Sequence, residues 1–220
     1  MYLEKDSGSL RIKVFKAIEN AILNGEYKEG DSLNELKISQ ELGVSRTPVR
    51  EALMQLELEG LVNTIPNKGA LVVGVSDKDI KDIYEIRILI EGLAARLCAE
   101  NITEEEIKAL DKIIDLQEFY LMKQDTDQIW RLDSDFHNIL YDASRSRPLR
   151  YMLTSFHNYI KRARDISMHA EGRAEKAVRE HRAILEAIRL RDPGLAEKRT
   201  AEHIINAEKN LLLIIKQDQA

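Results

Sequence analysis

Apolar positions recur at helical spacing along most of the chain. Residues 10 to 23, LRIKVFKAIENAIL, place Val14, Phe15, Ile18, Ala21 and Ile22 on one face, and NGEY closes the helix at Gly25. In EGDSLNELKISQEL, Ser32 with Glu35 three residues later has the form of a reciprocal capping box, which predicts a second short helix. Gly43 stops that helix, and Ser45 is the expected N-cap of a third. Pro48 falls in the first turn, where a missing backbone N–H costs nothing, and Val49, Ala52, Leu53 and Leu56 form the apolar face. The third helix is expected to end near Glu59 and Gly60.

After Gly60 the period changes. LVNTIPNKGALVVGV holds two runs rich in β-branched residues, 61 to 65 and 70 to 75, around the turn residues PNKG, and so predicts a β-hairpin. Three short helices and a hairpin describe a winged helix-turn-helix. Ser76 with Asp79 is a weaker cap signal, and beyond it no strand pattern occurs. The first helix of this second part, roughly 77 to 100, carries the stripe Ile80, Ile83, Ile86, Ile90, Leu93, Ala94 and Leu97. Further helices are predicted at 103 to 122, 126 to 143, 147 to 168, 172 to 191 and 194 to 215, with breaks at NIT, KQDT, SRSRP, HAEG and RDPG. The expectation is a mainly α protein, with a winged helix-turn-helix over 1–76 and an all-helical bundle over 77–220.

Composition narrows the function classes. With 44% hydrophobic and 32% charged residues, the chain is too apolar for disorder. A single cysteine, Cys98 in LAARLCAE, excludes an intramolecular disulfide and reads as a buried thiol. The longest apolar run, LLLII at 211 to 215, is far short of a membrane span, and MYLEKDSGSLRIK lacks the apolar core of a signal peptide. A cytoplasmic protein without a membrane partner is expected. Up to Ser76 there are 9 Lys+Arg against 11 Asp+Glu, and after it 24 against 27, so neither part has a basic field. DNA contact would have to come from a local basic patch.

Such a patch lies in GVSRTPVREAL. On a helix starting at Arg46, Arg46 and Arg50 are four apart and share a face with Thr47, turned away from Val49 and Leu53. Two guanidinium groups and a hydroxyl at a helix N-terminus can hold phosphates and reach guanine edges. Lys68 at the hairpin tip could add a further contact. The same arginines could instead solvate the helix and pair with Glu51 or Glu41. The run from 18 to 72, with VSRTPVREAL, EGLV and P-x-x-G in order, resembles the N-terminal winged-helix domain of the GntR family of bacterial transcription regulators. The resemblance implies operator contacts by Ser45, Arg46, Thr47 and Arg50, helped by Glu35 at the start of helix two and by Lys68 and Gly69 in the wing. Position 36 is basic in some relatives and is Leu36 here. Because one winged helix buries too little to read an operator alone, a homodimer on a two-fold operator is expected.

All five histidines lie in the helical part. Asp133 and His137 in LDSDFHNIL are four apart and point the same way on a helix. His181 lies 12 residues before Pro193 and His203 10 after it, so on antiparallel helices they reach similar height. Spacing of this kind also arises in hydrogen-bonded core or surface residues. IYEIRILIEGLAARL, LDSDFHNILYDAS and EHRAILEAIRLRDPGLAEKRTAEHI resemble the helical FCD effector domain of the FadR subfamily of GntR regulators. In the metal-binding members that it resembles, a divalent ion is held at positions filled here by Asp133, His137, His181 and His203, leaving His157 and His169 as surface residues. Zinc or nickel suits these ligands, with open positions for a small organic acid effector. Arg87 resembles an arginine that faces the pocket in relatives, and could alternatively pair with Glu91 at i+4. Ser146 stands where many relatives carry Asn. The reading is a ligand-responsive transcription regulator. A metal sensor is the alternative, and a metal-dependent enzyme is less favoured because no general base is placed by the sequence.

Overall fold

The structure, a computed structural model, describes residues 9–65 and 69–218. Lys68 therefore lies outside the described residues. Packing divides the chain into two compact units, Met1–Asp77 and Lys78–Ala220.

In the first unit the helices are α1 (Leu10–Leu23), α2 (Glu35–Leu42) and α3 (Arg46–Leu58), and the strands are β1 (Ser32–Leu33), β2 (Val62–Ile65) and β3 (Gly69–Val72). Val14, Ile18 and Ile22 from α1 and Val49, Leu53 and Leu56 from α3 are buried in one core with Leu33, Ile38, Val62 and Val72. The capping-box expectation at Ser32 is corrected. Ser32 is in a strand, and Asn34 caps α2 by accepting hydrogen bonds from the Leu36 and Lys37 amides at 2.9 and 3.1 Å. The side-chain cap at Ser45 is corrected too: Ser45 occupies the N-cap position of α3 without a side-chain hydrogen bond. Gly43 ends α2 in the left-handed region at φ 65°.

The wing has three strands rather than two, in the order β1-β3-β2, all antiparallel. Ser32 pairs with Leu71 and Leu33 with Ala70, a short partner that two residues of sequence could not announce. Thr64 donates to Glu57 Oε1 from both its amide and its hydroxyl, at 2.7 and 2.6 Å, which ties β2 to α3. Gly69 is required by backbone geometry. Its φ is +101°, and a Cβ there would sit 2.0 Å from the Leu33 carbonyl oxygen. Gly69→Ala is expected to separate β1 from β3 and to cost at least about 2 kcal/mol. Urea denaturation of the chain checks this, and an unchanged midpoint for the first unit contradicts it.

The second unit contains α4 (Asp77–Asn101), α5 (Glu104–Met122), α6 (Thr126–Ala143), α7 (Arg147–Tyr159), α8 (Lys161–His169), α9 (Arg173–Arg189) and α10 (Pro193–Asp218). The predicted helix 147 to 168 is two, divided at the buried Ile160. No proline or glycine marks that break, so the sequence carries no sign of it. Thr103 and Glu106 form a complete capping box at the start of α5, and Ser146 caps α7. Phe136, Leu140, Leu110, Ile114, Ile184, Leu185 and Ile188 lie in one core.

The stripe of α4 is rotated from the predicted one. Ile86 is 40% exposed, and the buried face runs through Ile83, Tyr84, Arg87, Glu91, Ala94 and Cys98. A charged pair thus stands in the middle of a buried helix face. Burial pushes the Cys98 thiol up to about 12, so it behaves as a small apolar residue. Among the described residues, no helix is long and apolar enough to cross a membrane.

Candidate metal centre and DNA-reading face

On α3, Ser45 at the N-cap and Arg46, Thr47 and Arg50 in the first turns are exposed, while Val49, Ala52 and Leu53 are buried beneath them. The two arginines converge on Glu35, the first residue of α2. Arg46 Nη2 donates to Glu35 Oε2 at 2.9 Å, and Arg50 donates through Nε to Oε1 at 3.1 Å and through Nη2 to Oε2 at 3.0 Å. The partner is therefore neither Glu41 nor Glu51. The Arg50 hydrogen bond, working against partial burial and helped by Arg46, holds the Glu35 carboxyl below its ordinary value. One carboxylate thus orients both guanidiniums while leaving them exposed, with 56% and 61% of their side-chain surface open. Leu36, beside Glu35, is exposed and offers no charge.

In the helical unit, Asp133, His137, His181 and His203 come together from α6, α9 and α10. All four are buried, and one candidate ligand atom from each lies within 4.8 Å of the others. Asp133 Oδ1 is 3.9 Å from His137 Nε2 and 3.4 Å from His181 Nε2, and the His181 and His203 rings are 4.8 Å apart between centroids. Each imidazole turns its other nitrogen outward to an oxygen. His181 Nδ1 is 3.0 Å from Gln117 Oε1, and His203 Nδ1 is 2.7 Å from Glu180 Oε2. His137 Nδ1 is 3.1 Å from Glu91 Oε2, at an angle short of a hydrogen bond. Because carbonyl and carboxylate oxygens only accept, these contacts favour protons on Nδ1 and lone pairs on Nε2, facing inward. His181 Nε2 is buried without a hydrogen-bond partner. An orphaned buried lone pair beside a carboxylate and two more imidazoles is what a cation would satisfy.

The electrostatics agree. Burial foremost, then the neighbouring imidazole of His203, keeps His181 well below its ordinary pKa and hence neutral. Burial also lowers His203, partly offset by its bond to Glu180. Burial alone would raise the Asp133 carboxyl, but Arg164 and the surrounding imidazoles hold it well below the carboxylate range. Glu180 is held at about 2, as its hydrogen bond from His203 and the charge of Arg173 outweigh its burial. The donor set is thus one carboxylate and three imidazoles, of which His181 and His203 are held toward the neutral form that binds a metal.

Several residues around the cluster have no signal in the sequence. Glu91 on α4, Gln117 on α5 and Glu180 on α9 orient the rings, and Arg164 on α8 bonds to both Asp133 Oδ2 and His157 Nε2. His157, read from the sequence as a surface residue, is corrected. Its ring lies 6.2 Å from that of His137, and Ser134 Oγ is 3.1 Å from its Nε2. His169 is at the surface beside Asp127, 3.0 Å away. Arg87 does pair with Glu91, but the pair is buried and not at the helix surface. Its Nε donates to Glu91 Oε1 at 2.6 Å, it is fully buried, and it lines a cavity with Tyr84, Asp133, His137, Arg164 and His203. Its Nη1 has no hydrogen-bond partner. Ser146 is not among the residues lining that cavity; its hydroxyl caps α7.

Residues 10–72 match the family described as bacterial regulatory proteins, gntR family, and residues 82–206 match the FCD domain. The chain is 30% identical over 207 residues to the uncharacterized HTH-type transcriptional regulator YdhC of Bacillus subtilis, covering 94% of this chain and 92% of the relative. It is 26% identical to the HTH-type transcriptional repressor RspR of Escherichia coli, over 87% and 84% of the two chains. The solved structure of E. coli McbR/YncC shares the fold, with a TM-score of 0.74 at 23% identity, over 96% of this chain and 99% of that one. These relatives are regulators rather than enzymes, which removes the metal-dependent enzyme as a reading. With both of its parts matched and a relative similar over nearly its whole length, the chain belongs to the GntR family of bacterial transcription regulators, with an FCD effector domain.

Proposed function

We propose that this regulator binds operator DNA as a homodimer and responds to a small organic acid anchored on a divalent metal ion. Glu35, Ser45, Arg46, Thr47 and Arg50, with Lys68 and Gly69 in the wing, are assigned to the operator. Asp133, His137, His181 and His203 are assigned to the ion, zinc or nickel by the donor set, and Arg87 to the acid. The observation that carries the effector reading is the set of three buried imidazoles whose outward nitrogens face oxygens and whose inward ones face Asp133. Bound there, the ion would supply a Lewis-acidic anchor with positions left for ligand oxygens.

The chain's own residues do the rest. Gln117, Glu180 and Glu91 fix the ring orientations, and Arg87 presents its unpaired Nη1 to an anion in the same cavity. Acid binding biases the helical unit between two arrangements that hold the paired DNA-reading units at different spacings, a coupling of about 1 to 3 kcal/mol. The test is fluorescence anisotropy on a DNA fragment selected by the full-length protein, measured metal-free, metal-loaded, and metal-loaded with a panel of small carboxylates. An affinity change that needs both ion and acid is expected. Affinity that follows the ion alone assigns the signal to the metal, and affinity indifferent to both sinks the effector reading.

A further inference from the structure

One edge of the Arg50 guanidinium is already occupied. Its Nε and Nη2 donate to the two oxygens of Glu35, at 3.1 Å to Oε1 and 3.0 Å to Oε2, the fork-to-fork pairing of guanidinium with carboxylate. Glu35 Oε2 also accepts from Arg46 Nη2 at 2.9 Å, so both arginines are tied to one carboxylate. Once Nε and one Nη2 hydrogen are used, the parallel pair of donors left on the planar group is the end-on pair, one hydrogen on Nη1 and one on Nη2. The Arg50 side chain is 61% exposed and that of Glu35 14%. The trio carries one net positive charge, where two bare arginines would carry two.

We propose that Glu35 is a specificity-determining residue that acts through Arg50, leaving it only the end-on edge and so matching it to the N7 and O6 acceptors of a guanine. This rests on the operator reading above, and it gives Glu35 a positioning role in place of a contact of its own. In the major groove guanine presents two adjacent acceptors, whereas adenine sets a donor beside its acceptor, thymine a methyl group, and cytosine offers a donor. A phosphate makes no such demand. Its oxygens accept from any edge, and attraction to it follows charge. Glu35 therefore acts twice in one direction. It fixes the fork before DNA arrives, so less rotamer freedom is lost on reading guanine, and it withdraws a positive charge from the attraction that all sequences share.

The experiment uses the chain with three kinds of DNA: a fragment it selects from a random pool, a scrambled fragment, and selected fragments in which each guanine in turn is 7-deazaguanine, which lacks the N7 acceptor. Anisotropy titrations over a series of KCl concentrations give the affinities. At least one guanine is expected to lose about tenfold in wild-type affinity on removal of N7, with Arg50→Ala indifferent to the same change. Glu35→Gln keeps the side-chain length and one acceptor oxygen, but neither the charge nor the fork. It is expected to lower the ratio of selected to scrambled affinity by about tenfold, to weaken the N7 effect at that guanine, and to steepen the salt dependence on scrambled DNA. Asn34 caps α2 without help from Glu35, so the melting temperature of the variant should stay near that of the wild type. An unchanged ratio in Glu35→Gln overturns the proposal. A lowered ratio with the N7 effect at full strength also overturns it, because Glu35 would then act on DNA without Arg50. If no guanine has an N7 that matters to the wild type and not to Arg50→Ala, the proposal fails whatever Glu35→Gln does. Wild-type protein that binds selected and scrambled DNA alike sinks the operator reading itself.

Discussion

Nickel or zinc, added to the metal-free full-length chain at a hundredfold to thousandfold excess over Kd, is expected to raise the melting temperature of the helical unit by about 10 °C. Ligand present at that excess adds about 2.7 to 4.1 kcal/mol to the native state, and a unit of this size gains ~2 to 4 °C per kcal/mol. His181→Ala should abolish the shift. It removes a ligand atom that is buried and otherwise unpartnered, although the metal-free variant will also melt lower because the ring stacks on Phe136 at 4.2 Å. A full metal-induced shift in His181→Ala, followed by calorimetry, would place the ion elsewhere.

The same histidines set a pH dependence. Burial foremost holds His157 and His181 well below their ordinary value, with Arg164 adding to this at His157. The unfolded chain then takes up protons first as pH falls. The stability of the metal-free protein is therefore fully present above about pH 6.5 and is lost below it, by up to about 1.4 kcal/mol per pH unit for each such imidazole. Melting temperatures measured from pH 7 to pH 5 should fall, and a flat profile would contradict the neutral assignment.

Arg50→Ala is expected to weaken operator binding by about tenfold to a hundredfold per reading unit, the ~1 to 3 kcal/mol of a bidentate base contact. In a dimer both copies are lost. Folding stability should hardly change, because the Arg50 side chain is 61% exposed and its pair with Glu35 is screened by water. Glu35 retains Arg46 at 2.9 Å, so the rest of the reading face keeps its anchor. Metal affinity should be untouched, since Arg50 lies in the first unit and every residue of the cluster in the second. Anisotropy titrations against operator and unrelated DNA, with nickel titration in parallel, decide the matter. Unchanged operator affinity, or a parallel loss of metal, would mean that Arg50 does not read DNA.

Much of the DNA-reading unit was legible because its determinants are local. Gly43, Pro48 and the spacing of Val49, Ala52, Leu53 and Leu56 each act within a turn or two of helix, and Arg46, Thr47 and Arg50 are outward by default once that face is buried. The same holds for Asp133 and His137, one turn apart on α6, and for the matched distances of His181 and His203 from Pro193. The cap at Asn34, the third strand at Ser32 and Leu33, and the division at Ile160 were not legible. The Asn34 cap is local, but Ser32 with Glu35 offered a competing capping pattern; the third strand depends on a partner far along the chain, and the division at Ile160 leaves no Gly or Pro signal behind.

By itself, then, the sequence determined the order of helices and wing, the exposed arginines, and the four residue types able to share one ion. Only the tertiary structure decided that Glu35 orients Arg46 and Arg50, that Arg87 and Glu91 are buried, and that Arg164 and His157 stand beside Asp133. The reason is one of range. Helix caps and apolar periods are set within a few residues, whereas charge balance in a buried pocket is set by side chains brought from α4, α6, α8 and α9.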